Sequence, residues 1–167
     1  DYAWNLQLAP DVIAKMESAG KGKVIVGFGP SVERIEIHMT DPSPLLDADT
    51  RATRKAPHPF LSDIRVRKAL SLAIDRVLLT EIGYGQMGKP TCDLVAGPAI
   101  YSSQNTHCMK QDIAGANNLL DNAGWVMGSD GVRTKDGMRL SVLYQTSTNA
   151  VRQDYQALVK QWWGEIG

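Results

Sequence analysis

Ser62-Asp63-Ile64-Arg65-Val66-Arg67-Lys68-Ala69-Leu70-Ser71-Leu72-Ala73-Ile74-Asp75-Arg76-Val77 is the stretch on which the fold reading turns. Ser62-Asp63 is a helix-capping pair, because a short polar side chain can accept a backbone N–H that the first turn leaves unpaired. Val66, Leu70, Ala73, Ile74 and Val77 recur at helical spacing and form one apolar stripe. Arg65, Arg67 and Lys68 fall largely outside it and, with Arg76, read as a solvated face rather than a docking surface. Asp75 can restart the helix after a small kink and carry it to about Ile82.

Outward from this helix the pattern is mixed. Upstream, residues 40–61 form a long irregular loop holding Pro42, Pro44, Pro57 and Pro59. A segment of that length without regular structure is often functional or mobile. Before it, Lys23–Phe28 and Arg34–Met39 alternate as two strands, with Val24, Val26 and Phe28 on one face and Ile35, Ile37 and Met39 on the other run's inner face. An earlier helix starts at Pro10 and is ended by Gly20 and Gly22. Downstream, residues 83–110 are broken by Gly and Pro. Asp112 caps a helix striped by Ile113, Ala116, Leu119, Leu120 and Ala123, and Gly124 is placed to end it. Gly128-Ser129-Asp130-Gly131 and Lys135-Asp136-Gly137 flank a hairpin-like piece. Leu140, Val142 and Tyr144 alternate as a strand, and Val151, Tyr155, Leu158, Val159, Trp162 and Ile166 stripe a final helix. The order of elements predicts an α/β domain, a mixed small sheet flanked by helices.

Composition narrows the function. The 167 residues hold 18 Lys plus Arg against 18 Asp plus Glu. A nucleic-acid binder would show a basic excess to neutralise phosphates, so no nucleic-acid partner is expected. No apolar run nears the roughly 20 residues that span a bilayer. The chain opens without Met and stops directly after a helical pattern, so it is expected to be a piece of a longer protein.

Tests for chemistry find little. Gly83-Tyr84-Gly85-Gln86-Met87-Gly88 matches a dinucleotide-binding string, but a helix precedes it and no helix follows, so phosphates would have no helix N-terminus to sit on. It reads as a helix end and a turn. His38, His58 and His107 lack metal-ligand spacing. No nucleophile elbow or S-x-x-K is present. The Asp-Gly pairs at 130–131 and 136–137 lack the alternating acidic ligands of a calcium loop and read as turns. No catalytic residue, metal or cofactor is expected. Trp162 reads as core, Trp125 as a plug at a helix end, and Trp163 as covering a neighbouring helix. Two readings stand for Trp4, in the opening segment with Tyr2 and Asn5: a wall of a polar ligand cleft, or packing on the domain's own helices. Two also stand for Cys92 and Cys108. They close a loop of roughly 15 residues worth on the order of 3 kcal/mol as a disulfide, or they are unrelated buried thiols.

The quoted stretch, extended back to Pro59-Phe60-Leu61, resembles the signature of bacterial extracellular solute-binding proteins of family 5, the peptide, dipeptide and nickel receptors of ABC importers. Ala116–Trp125 resembles that family's "A..LLD.AGW" helix end. Gly128–Gly137 resembles its hairpin, Gln153–Gly167 its "Q..LVKQWW.EIG" helix, and Asp1-Tyr2-Ala3-Trp4-Asn5 the segment after its first interlobe crossing. The resemblance covers nearly the whole chain in the right order. It implies one lobe, residues 1–167, of a two-lobed periplasmic-binding-protein type II architecture. It also implies non-covalent capture of a peptide and delivery to a membrane permease, with the second lobe of the same chain as partner. The implied location is the periplasm, or outside the cell on a lipid anchor. By the same resemblance Trp4, Asn5 and Gln7 match cleft-facing positions, and the oxidising compartment favours a Cys92–Cys108 disulfide. The alternatives are a protein-interaction module and a hydrolase with a dispersed active site.

Overall fold

The computed structural model describes residues 8–167. It contains helices α1 (Pro10–Ser18), α2 (Ile64–Leu72), α3 (Arg76–Tyr84), α4 (Ile113–Asn122) and α5 (Ala150–Glu165). The strands are β1 (Val126–Met127), β2 (Arg133–Lys135) and β3 (Met138–Arg139), and short 3-10 turns lie at Gly85–Met87 and Ala99–Tyr101. The described chain divides into two units: residues 8–32, 75–110 and 144–159, and residues 33–74, 111–143 and 160–167.

The second unit is built on α2 and α4. Asp63 caps α2 by accepting the Arg65 amide at 2.8 Å, and Asp112 caps α4 by accepting the Gly115 amide at 2.7 Å. Val66, Ala69, Leu70 and Ala73 meet Ala116, Leu120 and Ala123, with Phe60, Trp125 and Ile166 completing the core. The carbonyls left over at the end of α2 are all taken up. Leu70 O accepts from the Trp163 indole at 3.0 Å, Leu72 O from the Asp112 amide at 2.9 Å, and Ala73 O from Gln111 Nε2 at 2.9 Å. Trp163 thus covers a neighbouring helix by donating to it.

At the end of α4, Gly124 adopts φ +85°. The Trp125 amide reaches back to Leu120 O at 3.0 Å and the Gly124 amide to Asp121 O at 2.9 Å. This paired closure is the one that favours glycine after a helix. It turns the chain directly into a three-stranded antiparallel sheet, ordered β1-β2-β3. Asp136-Gly137, at φ +52° and +76°, joins β2 to β3. Two consecutive positive φ values match the right-handed twist of a tight hairpin.

Three expected strands are not ladders. Residues 23–28 and 34–39 run without helix or strand pairing, and the one isolated bridge among the described residues joins Thr40 to Pro57. Beyond Arg139 the run 140–144 likewise forms no strand, although the Leu140 amide donates to Arg133 O at 2.8 Å and Tyr144 O accepts Gln156 Nε2 at 2.6 Å. Alternation suggests which side chains turn inward, and it held in part: Ile35, Ile37, Leu140 and Val142 are half-buried and Leu143 is 85% exposed, but Met39, expected inward, is exposed. A strand also needs a neighbour's N–H and C=O groups, which alternation does not supply. The expected face of Val24, Val26 and Phe28 is largely open, with Phe28 61% exposed. The expected restart at Asp75 is seen, but the apolar stripe stops short of Val77. The chain breaks after Ala73, α3 restarts with its own cap from Asp75 to the Leu78 amide at 2.9 Å, and Val77 lies exposed.

In the first unit, the glycines of 83–88 have packing roles. Gly83 is buried inside α3, and a Cβ there would run into the Tyr155 ring; Gly85 sits at φ +52° against Pro10. Gly83→Ala is therefore expected to destabilise the protein by about 1–3 kcal/mol, the usual penalty of overpacking. A urea midpoint unchanged from wild type would show that Tyr155 moves aside freely.

Candidate functional site

Trp4, Asn5 and Gln7, the ligand contacts expected from sequence, lie outside the described residues. Within them, each unit presents one chemically distinct surface feature.

In the second unit it is the turn before α2 and the hollow beside it. His58 Nδ1 accepts the amides of Phe60 at 3.3 Å and Leu61 at 3.1 Å, so the ring proton of the neutral form sits on Nε2. The imidazole meets Phe60 edge-on at 4.6 Å, and Phe60 meets Trp125 edge-on at 5.7 Å. Pro59, Phe60, Asp63, Trp125, Lys135, Asp136 and Met138 line a hollow of about 150 Å³. Its charges are largely committed. The Arg65 guanidinium holds the Asp63 carboxyl below the usual range, and Lys135 Nζ donates to Ala123 O at 2.7 Å at the end of α4.

Behind the hollow lies Arg133, 3% exposed, in β2. Its Nε donates to Ile166 O at 2.8 Å. Its Nη1 reaches Asp121 Oδ1 at 2.6 Å and Trp125 O at 2.7 Å, and its Nη2 reaches Asn117 Oδ1 at 2.8 Å. One planar guanidinium thereby ties together chain just beyond α4 and α5 and the side chains of α4 itself.

In the first unit the feature is the loop between Cys92 and Cys108, whose sulfurs are bonded with Cα atoms 5.7 Å apart. Arg76 Nη1 donates to Cys108 O at 3.0 Å. Inside the loop Asp93 gathers the Ser102 hydroxyl at 2.6 Å, the Ser103 hydroxyl, and the Asn105 amide at 3.1 Å. Those donors, the Ser102 and Ser103 hydroxyls foremost, hold its carboxyl below the usual range. Asp93, Leu94, Val95, Tyr101 and Ser103 line a second hollow of about 220 Å³.

Each resolved carboxyl shift, at Asp63, Asp93 and Asp130, is downward. These are anions held by donors, whereas a general acid at neutral pH needs its pKa raised. Among the described residues no group of three or more His, Cys, Asp or Glu gathers as a metal site. Sequence reasoning missed Arg133, Asp93 and the role of His58. The partners of Arg133 and Asp93 are distant in the chain and have no spacing signature. His58 did carry a local signal, an acceptor ring two and three residues before the amides it caps.

Comparison with known proteins agrees with this picture. The family profile described as "Bacterial extracellular solute-binding proteins, family 5 Middle" matches residues 1–167. Protein XP55 of Streptomyces lividans is 34% identical over 94 residues, covering 56% of this chain and 17% of that protein. Lactococcal OppA, solved in its closed conformation with an endogenous peptide, is 31% identical with a TM-score of 0.55, over 65% of this chain and 21% of OppA. NikA from Brucella suis, solved with Fe(III)-EDTA, is 28% identical with a TM-score of 0.58, over 66% of this chain and 22% of NikA. The matched regions therefore span about a fifth of these proteins' length. With its mixed α/β fold and a profile match along its whole length, the chain belongs to the bacterial extracellular solute-binding proteins of family 5.

Proposed function

We propose that this chain is part of the substrate-binding component of an ABC importer, and that the assembled protein captures peptides non-covalently between two lobes. The observation that carries the reading is the family match over residues 1–167, joined to a structural likeness to a peptide-bound receptor. Closure would be a population shift driven by the ligand's extra contacts in the closed form, and that form would dock on the membrane permease. No bond in the ligand is made or broken. Trp4, Asn5 and Gln7 would face the cleft, with Trp4 as an aromatic wall and the two amides pairing with the peptide backbone. The proposed location is the periplasm, or outside the cell on a lipid anchor, where the Cys92–Cys108 bond would persist.

The test is calorimetric titration of the full-length protein with a series of di- to nonapeptides and, in parallel, with chelated nickel or iron. Saturable peptide binding, weakened about tenfold or more by Trp4→Ala, is the expected result. The likeness to NikA gives the second reading its basis. Binding of the metal chelates with no response to any peptide would replace peptide with chelate as the ligand class.

A further inference from the structure

We infer that His58 is an acid-sensitive latch: its neutral ring closes the turn that seats Phe60 against Trp125, and protonation opens that turn. The geometry carries this. Nδ1 faces two backbone N–H groups, those of Phe60 and Leu61, and serves as acceptor to both. A proton on Nδ1 would replace an acceptor with a donor and set three N–H groups against one another. Both amides would then lose their partner together.

The rest of the turn is closed around this ring. The His58 amide donates to Met39 O at 2.8 Å, and His58 O accepts the Ser62 hydroxyl at 2.6 Å. From α2, Arg67 Nη1 donates to Leu61 O and Ser62 O, each at 2.8 Å. The charged and titratable groups facing the imidazole are Asp41, whose carboxylate favours the imidazolium, and His38, which opposes it. Arg67 adds a further positive charge from α2. Burial outweighs Asp41, so the pKa of His58 is lowered from its ordinary 6.5.

The direction follows from that. Because the closed turn binds the proton less readily than the open one, the latch is at full strength above the ordinary value of 6.5. It weakens as pH falls through the depressed value of the closed turn. Opening frees Phe60, one wall of the hollow shared with Pro59 and Trp125. An acidified cell exterior would thus loosen this face, while neutral pH would hold it shut.

Hydrogen exchange by mass spectrometry on the full-length protein tests the latch, with each rate corrected for the intrinsic pH dependence of exchange. Protection of the Phe60 and Leu61 amides is expected to be lost progressively between about pH 7.5 and pH 5. In His58→Asn, whose Oδ1 can take the place of Nδ1 without titrating, protection is expected to be independent of pH. In His38→Asn the wild-type dependence is expected to persist. Equal protection at both pH values in the wild type overturns the proposal, as does a dependence that survives in His58→Asn or vanishes in His38→Asn. If His58→Asn does not fold, the wild type and His38→Asn decide the matter.

Discussion

Arg133→Ala is expected to lower folding stability by about 3–5 kcal/mol, the range seen when one partner of a buried, hydrogen-bonded charge is removed. The truncation does more than delete an ion pair. Asp121 is 60% exposed and can turn to water, so its share is the small one typical of surface pairs. The cost lies in the acceptors left behind, Ile166 O, Trp125 O and Asn117 Oδ1, which the guanidinium now serves at 2.7–2.8 Å. Each buried acceptor left without a donor costs about 1–3 kcal/mol, less whatever water can repair. Three variants separate these contributions. Arg133→Met keeps apolar volume but orphans the same acceptors, and is expected to lose nearly as much as alanine. Arg133→Lys keeps the charge but cannot span three directions from one ammonium, and is expected to fall between alanine and wild type. Asp121→Asn is expected to cost under about 1 kcal/mol. Urea unfolding followed by circular dichroism measures all four. If Arg133→Ala stays within about 1 kcal/mol of wild type, the arginine is not what holds the ends of α4 and α5.

The second large effect is expected at Trp125. It is 4% exposed, packs edge-on against Phe60, and closes the core where α4 ends. Trp125→Ala is expected to cost about 3–5 kcal/mol through lost burial and the cavity left behind. The new void would adjoin the existing hollow of about 150 Å³, so water entry rather than collapse is the expected response. Trp125→Phe keeps a ring against Phe60 and should recover most of the loss. Arg133 donates to the Trp125 backbone carbonyl, which alanine keeps, so coupling in the double alanine variant would come from a shift of that backbone, and a departure from additivity of about 0.5–3 kcal/mol would report it. Strict additivity in the same unfolding experiment would mean that the two residues stabilise the core independently.

Much of the second unit is legible in the sequence itself. The caps at Asp63 and Asp112, the closing Gly124, the core stripes of α2 and α4, and the Asp136-Gly137 turn are decided by residues within a few positions of one another. Local chemistry is enough there: a side-chain oxygen near a free amide, or a glycine where φ must be positive. The extended runs at 23–28, 34–39 and 140–144 mark the limit of that reasoning. In the second unit their alternation marked the inward side chains, Met39 excepted, but pairing is a property of two segments. The same limit explains Arg133. Arg133 stands between two turn signals, and nothing beside it announces that Ile166, Asn117 and Asp121 will surround it.

What the sequence by itself determined, then, is the set of helices, their caps and turns, the small mixed α/β class, and, through motifs spread along the chain, a resemblance to family 5. Only the tertiary structure decided which polar groups are buried and who satisfies them: Arg133 across the ends of α4 and α5, Asp93 inside the disulfide loop, Trp163 on α2. The reason is range. Backbone propensity and capping act over one turn of chain, whereas a buried donor must find its acceptor wherever folding brings one within about 3 Å.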